Sequence, residues 1–175
     1  MSRIDTLSWK QPRNIKLSLI RRSADMAGKL PVEVAPGQIY RHDHFYCDAA
    51  SQWQAKYLLV LTGTPDVDVV FRLLTSRAHG RLEQPPCYRG NPYPIFYFGY
   101  LGGVLTTKSW LDLRRQDDYN SISFTADLTA GNLLLVATLP IEILCQALDC
   151  AASADDTTRQ QERLIRDQRA ALHCA

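Results

Sequence analysis

A mainly β domain followed by C-terminal helices is the fold class this sequence predicts, and three observations carry it. Short apolar runs of strand length recur through the middle of the chain. Clusters of Gly, Pro and Asp separate them, and the strongest helical pattern comes only after Pro140. Strands with no helices between them, followed by helix, point to a small barrel carrying terminal helices.

The first strand opens at Gly37 and spans Gln38 to Tyr46. A polar stretch, Asp48 to Lys56, leads to a buried-type strand, Tyr57 to Thr62, whose centre Leu58-Leu59-Val60-Leu61 is wholly apolar. Gly63-Thr64-Pro65-Asp66 supplies turn chemistry, and Val67 to Thr75 completes a hairpin. Residues 78–94 form a long loop with Gly80, Pro85, Pro86, Gly90, Pro92 and Pro94, and loops of that length are often functional. Ile95 to Leu101 and Val104 to Leu113 are strands about a Gly102-Gly103 turn, and Ile122 to Thr125 reads as an edge strand. Leu133 to Ala137 fits a strand running into helix. Thr138 and Pro140 then start a helix to Ala152, because proline suits the first helical turn. A second, polar helix runs from about Asp155 to His173. The organisation is a basic N-terminal extension (1–35), a barrel with its helix (36–152) and a C-terminal polar helix (153–175).

Composition bounds the function class. Hydrophobic residues make up 46% and charged residues 22% of 175, which argues for a packed core and against wholesale disorder. No apolar run reaches 18 residues, so no transmembrane helix is expected. Arg3, Asp5, Lys10, Arg13 and Lys16 interrupt any signal-peptide core, and a cytoplasmic location follows as the expectation. The five cysteines are odd in number and irregularly spaced, which favours reduced thiols; Cys145 and Cys150 fall on the first helix as small hydrophobes. A formal net charge of +2 is too small to imply a nucleic-acid binder, although Arg3, Lys10, Arg13, Lys16, Arg21, Arg22 and Lys29 make residues 1–30 a basic arm able to contact phosphate.

Three chemistries suit the residue types present. His42 and His44 alternate along one strand with Cys47 near and His79 and Cys87 further on, but no ligand motif of zinc spacing occurs; a surface histidine pair is the plainer reading, and no metal is expected. There is no G-x-S-x-G, no G-x-G-x-x-G and no G-K-[ST], so neither a serine elbow nor a nucleotide cradle is present, and no cofactor is implied. Lys56, Arg72, Arg77, Arg81, Arg89, Lys108, Arg114 and Arg115 are interleaved with Trp53, Tyr57, Tyr88, Tyr93, Tyr97 and Trp110. Such a mixture holds single-stranded nucleic acid through phosphate contacts and base stacking, and it also describes an ordinary β surface with aromatic core residues.

The order of these segments resembles the PemK/MazF-like toxin family of small SH3-like barrels. The resemblance rests on Gly37-Gln38-Ile39-Tyr40, on Ser51 to Thr62, on Leu73-Leu74-Thr75-Ser76, on Leu105 to Trp110 and on Leu139 to Leu144, and covers roughly residues 36–150. It implies a metal-independent endoribonuclease acting on single-stranded RNA, with a homodimer and an antitoxin or other protein partner. Lys56 would stabilise the phosphate and Thr75 orient it, and Gln54, Ser76, Arg77, Lys108 and Ser109 would contact RNA. Lys56 stands where the family has arginine, flanked by Ala55 and Tyr57 in place of glycine and proline. A lysine is a point charge without the bidentate grip of a guanidinium. The alternative implied is an inactive, diverged barrel that serves as a binding module.

Overall fold

The apolar run Leu58 to Leu61 lies at the centre of a seven-stranded antiparallel sheet in the computed structural model, which describes residues 33–63, 68–90 and 93–174. The basic arm, residues 1–30, and residues 64–67, which include most of the expected Gly63-to-Asp66 turn, lie outside the described residues. In chain order the strands are β1 (Gln38–Cys47), β2 (Trp53–Thr62), β3 (Val70–Thr75), β4 (Cys87–Tyr88), β5 (Ile95–Gly99), β6 (Ser109–Asp112) and β7 (Leu133–Thr138). The helices are α1 (Ser121–Ala130), α2 (Ile141–Ala152) and α3 (Arg159–Ala171). Their spatial order is β4-β5-β6-β3-β2-β1-β7.

The ladder is open, with β4 and β7 as its two edges. A closed barrel is therefore not what these strands build. One reason is that the expected edge strand at 122–125 is helix α1 instead. Its β-branched residues favour a strand, but the caps decide the matter. Asn120 Oδ1 accepts the amides of Ile122 and Ser123 at 3.1 and 3.2 Å. At the other end Gly131 turns at φ 76° and donates to the carbonyls of Asp127 and Leu128.

β2 begins earlier than its apolar run, at Trp53. The connection before it is tied by Asp48, whose Oδ1 accepts the amides of Ala50 and Gln52, each at 2.9 Å. The two-residue strand β4 sits within the proline-rich loop, and β6 is shorter than the run of residues that announced it.

Both faces of the sheet are covered in part. One carries Ile39, Leu59, Leu61, Val70, Leu74, Leu111 and Leu113, packed with Leu144, Ala147 and Leu148 of α2 and Ile165 of α3. The other carries Tyr40, Leu58, Val60 and Phe71 against Phe124 of α1. Phe124 meets Tyr40 and Tyr119 edge-on at 5.3 and 5.1 Å.

The helix-facing side also holds Arg72, with no solvent exposure. Its guanidinium donates to the Phe71 carbonyl (2.9 Å), to Thr157 Oγ1 (3.2 Å) and to Gln161 Oε1 (3.0 Å). Burial disfavours its charge, and the carboxylates of Asp118, Asp156 and Asp112 oppose that effect.

The cysteines depart from the expectation of reduced thiols. Cys87 is bonded to Cys150, and Cys145 to Cys174, across sequence separations of 63 and 29. The fold brings together pairs that spacing alone does not connect; Cys47 is free and exposed. No helix among the described residues is long and apolar enough to cross a membrane.

Truncating Arg72 to alanine leaves Gln161 and Thr157 without their buried partner. We expect Arg72→Ala to cost about 3 kcal/mol in urea unfolding. A loss below about 0.5 kcal/mol would mean that the guanidinium does not tether α3.

Candidate nucleic-acid interface

β2 begins, β3 ends and β6 begins at the same end of the sheet, as the pairings Tyr57↔Leu74 and Thr75↔Trp110 require. A cleft of ≈ 310 Å³ opens there. One wall is Tyr46, Gln54, Lys56, Thr75, Ser76 and Arg77, and the other is the segment 104–107 with Ser109.

Of the RNA-contacting residues that the sequence nominates, Gln54, Lys56, Thr75, Ser76, Arg77 and Ser109 line this cleft. Lys108 does not; its ammonium is 2.7 Å from Glu83 Oε1. Ser109 is buried and its hydroxyl donates to the Thr107 carbonyl at 3.1 Å, so it builds the wall. The Gln54 amide donates to Asp48 Oδ2 at 2.7 Å, which ties it to the turn before β2. Thr75 Oγ1 accepts the Arg77 amide at 3.2 Å, leaving its own hydrogen for another acceptor.

The charge around the cleft is uneven. Lys56 lies over the Tyr46 ring, 5.7 Å from its centroid. Partial burial pushes its ammonium below the ordinary lysine value, Arg77, Arg81 and Arg114 push the same way, and Asp112 opposes them. Asp112 is already engaged. Its Oδ1 accepts from Arg114 Nε at 2.9 Å, its Oδ2 accepts from Arg114 Nη2, and Arg81 Nη2 is 3.5 Å away. Burial alone would raise the Asp112 carboxyl, but the hydrogen bonds and charge of Arg114, with the charge of Arg81, hold it below the carboxylate range. Among the described residues neither Lys56 nor Arg77 has a carboxylate within ion-pair distance.

Sequence reasoning missed Asp112 and Tyr46, and noted Arg81, Tyr93 and Arg114 only as members of a basic and aromatic mixture. Both guanidiniums lie over the Tyr93 ring, Arg81 at 5.0 Å and Arg114 at 5.4 Å from its centroid. The Asp112-x-Arg114 spacing was the available signal, since alternate residues of an extended chain share a side.

The histidines form a different arrangement. His42 Nδ1 accepts the His44 amide at 3.2 Å, and its ring meets Phe45 edge-on. Cys87 is consumed by its disulfide, and among the described residues no three metal-ligating side chains converge. Compared with known family models, curated proteins and solved structures, the chain finds no match.

A desolvated ammonium costs stability. Below the lowered pKa, Lys56 is charged in both folded and unfolded chains and the full penalty is present; as pH climbs toward the ordinary lysine value of 10.5, the folded chain sheds its proton first and the penalty fades. Lys56→Met is therefore expected to raise the urea midpoint at neutral pH, with the gap to wild type narrowing near about pH 10. A gap that stays constant or widens would contradict a strained Lys56.

Proposed function

We propose that this chain is a PemK/MazF-like protein whose cleft takes the backbone of single-stranded RNA and cleaves it without a metal. The observation that supports this reading is the convergence of Gln54, Lys56, Thr75, Ser76 and Arg77 on one cleft that carries two unpaired cations. Of these, Lys56 and Thr75 are the positions onto which the resemblance maps the family's basic residue and hydroxyl.

In the proposed reaction the ribose 2′-oxygen attacks the adjacent phosphorus and the bond to the next nucleotide's 5′-oxygen breaks. The products are a 2′,3′-cyclic phosphate and a 5′-hydroxyl. Lys56 and Arg77 oppose the charge that develops on the non-bridging oxygens, where preorganised cations are worth most. Thr75 and Ser76 offer hydroxyls to the same oxygens. The proton of the 2′-hydroxyl passes to water, and the leaving 5′-oxygen takes one from the Lys56 ammonium, whose lowered pKa eases that transfer. An SH3-like relationship, a homodimer and an antitoxin that occludes the cleft belong to the same reading.

One observation favours a second reading. Among the lining residues there is no imidazole and no carboxylate, so the usual general bases are lacking. Retention of RNA without cleavage is the activity such a cleft supports.

Labelled single-stranded RNA incubated in a chelator separates the two. The first reading expects cyclic-phosphate ends from wild type, with rates at least about 100-fold lower for Lys56→Ala and Thr75→Ala. Intact RNA held by the wild type and released by Lys56→Ala selects the second. Intact RNA that is not held removes both.

A further inference from the structure

The segment after β3 folds back on itself at a place that no nominated residue explains. His79 and Gly80 have positive φ of 39° and 75°, and after the turn they make the Arg81 guanidinium reaches the Arg77 carbonyl. For a non-glycine residue such a backbone persists only where its surroundings hold it. The holding contacts are all present. The Arg81 amide donates to the Ala78 carbonyl at 2.6 Å. Its Nη1 donates to the Arg77 carbonyl at 3.0 Å, and its Nη2 faces Asp112 Oδ2 at 3.5 Å. The guanidinium stacks on Tyr93, and its side chain is 6% exposed. Beyond it, the Leu82 carbonyl accepts from Trp110 Nε1 at 2.9 Å and Glu83 pairs with Lys108. Three residues of the strap 77–83 are thus tied to β6 and the residue before it: Arg81 to Asp112, Leu82 to Trp110 and Glu83 to Lys108.

The consequence falls on Arg77. Its amide donates to Thr75 Oγ1 and its carbonyl accepts from Arg81, so its main chain is clamped from both sides. Among the described residues Arg77 makes no ion pair with a carboxylate, and it lines the cleft. Arg81 is too deeply buried to serve as a ligand-binding cation, yet it is bonded to the residue that is placed to be one.

We propose that Arg81 is a positioning residue: through the Arg77 carbonyl and the shared Asp112 carboxylate it fixes the Arg77 main chain so that the Arg77 guanidinium meets a phosphodiester bound in the cleft. The proposal rests on the RNA reading above for the identity of the anion, and on geometry alone for the clamp. The guanidinium brings one nitrogen to the Arg77 carbonyl and another to the Asp112 carboxylate while lying over the Tyr93 ring; a lysine would have a single nitrogen for all of these contacts.

The test is a double-mutant cycle on binding of a single-stranded oligouridylate, read by fluorescence anisotropy between about 50 and 200 mM NaCl. Arg77→Ala is expected to weaken binding about tenfold at low salt and to flatten the log–log salt slope by about 0.7, the share of one phosphate contact on a single strand. Arg81→Met should reproduce both effects, Arg81→Lys should not rescue them, and the Arg77→Ala/Arg81→Met double variant should be no worse than either single one. Arg81→Met combined with Lys56→Ala should instead weaken binding beyond either single variant. Additive losses for Arg81 and Arg77, or rescue by Arg81→Lys, would overturn the proposal.

Amide hydrogen exchange of the free protein, which needs no RNA, keeps the two readings apart. Faster exchange at Arg77 in both Arg81 variants, with exchange at Leu59 and Leu111 unchanged, supports the clamp even if wild type binds no RNA, in which case only the RNA reading fails. Unchanged exchange at Arg77 overturns the clamp whatever the oligonucleotide does. Faster exchange throughout the sheet marks Arg81 as a general stabiliser and overturns it too.

Discussion

Along β3, the helix-facing side holds a fully buried guanidinium, Arg72, between Val70 and Leu74, and the opposite side presents Phe71, Leu73 and Thr75. The burial of that charge is tolerable because Gln161 and Thr157 reach it from the last helix and its approach. Gln161 in turn donates to the Gln116 carbonyl at 3.2 Å and to Asp118. One hydrogen-bonded relay therefore joins the middle strand, the final helix and the connection that precedes α1. Since a strand's two faces are locked together by its pleat, fixing Arg72 against the helices also fixes which way Thr75 points.

The other side of β3 shows what that anchoring permits. Lys56, Arg77, Arg81 and Arg114 stand close enough to repel one another, and a single carboxylate, Asp112, is shared between two of them. A sheet optimised for stability alone would not collect four cations around one acid. Sites that must meet a charged ligand commonly carry such strain, and the rest of the fold compensates. Here the compensation lies in an apolar core on both faces and in the rigid pairing of β3 with β2 and β6.

The sequence made some of this legible. Strands β1, β2, β3 and β5 could be read from short apolar runs bounded by turn residues, and α2 from Pro140 with the apolar positions after it. What failed had physical causes. The first part of β2, Trp53 to Lys56, alternates exposed and half-buried side chains on an open stretch of sheet, so its polarity resembled a loop. The segment Ile122 to Thr125 carries strand-like residues, and the signals that overrule them, Asn120 and Gly131, lie outside it. The site divided in the same way. Lys56, Thr75 and Arg77 were reachable through short motifs on strand ends, whereas Asp112, Tyr93 and Arg81 act through contacts that only the folded chain creates. The disulfides were the least legible, because cysteine pairing depends on which elements meet in space.

Those two disulfides share one helix. Cys145 and Cys150 both lie on α2, the first joined to Cys174 just beyond α3 and the second to Cys87 on the edge strand β4. Mechanically, this makes α2 the node through which load travels. A pull applied at Cys174 cannot peel α3 away turn by turn; it is delivered through sulfur to α2, and from there through a second covalent link to the sheet margin. The helical layer would resist tension as one body, and reduction would turn it into two helices that can be stripped off in sequence.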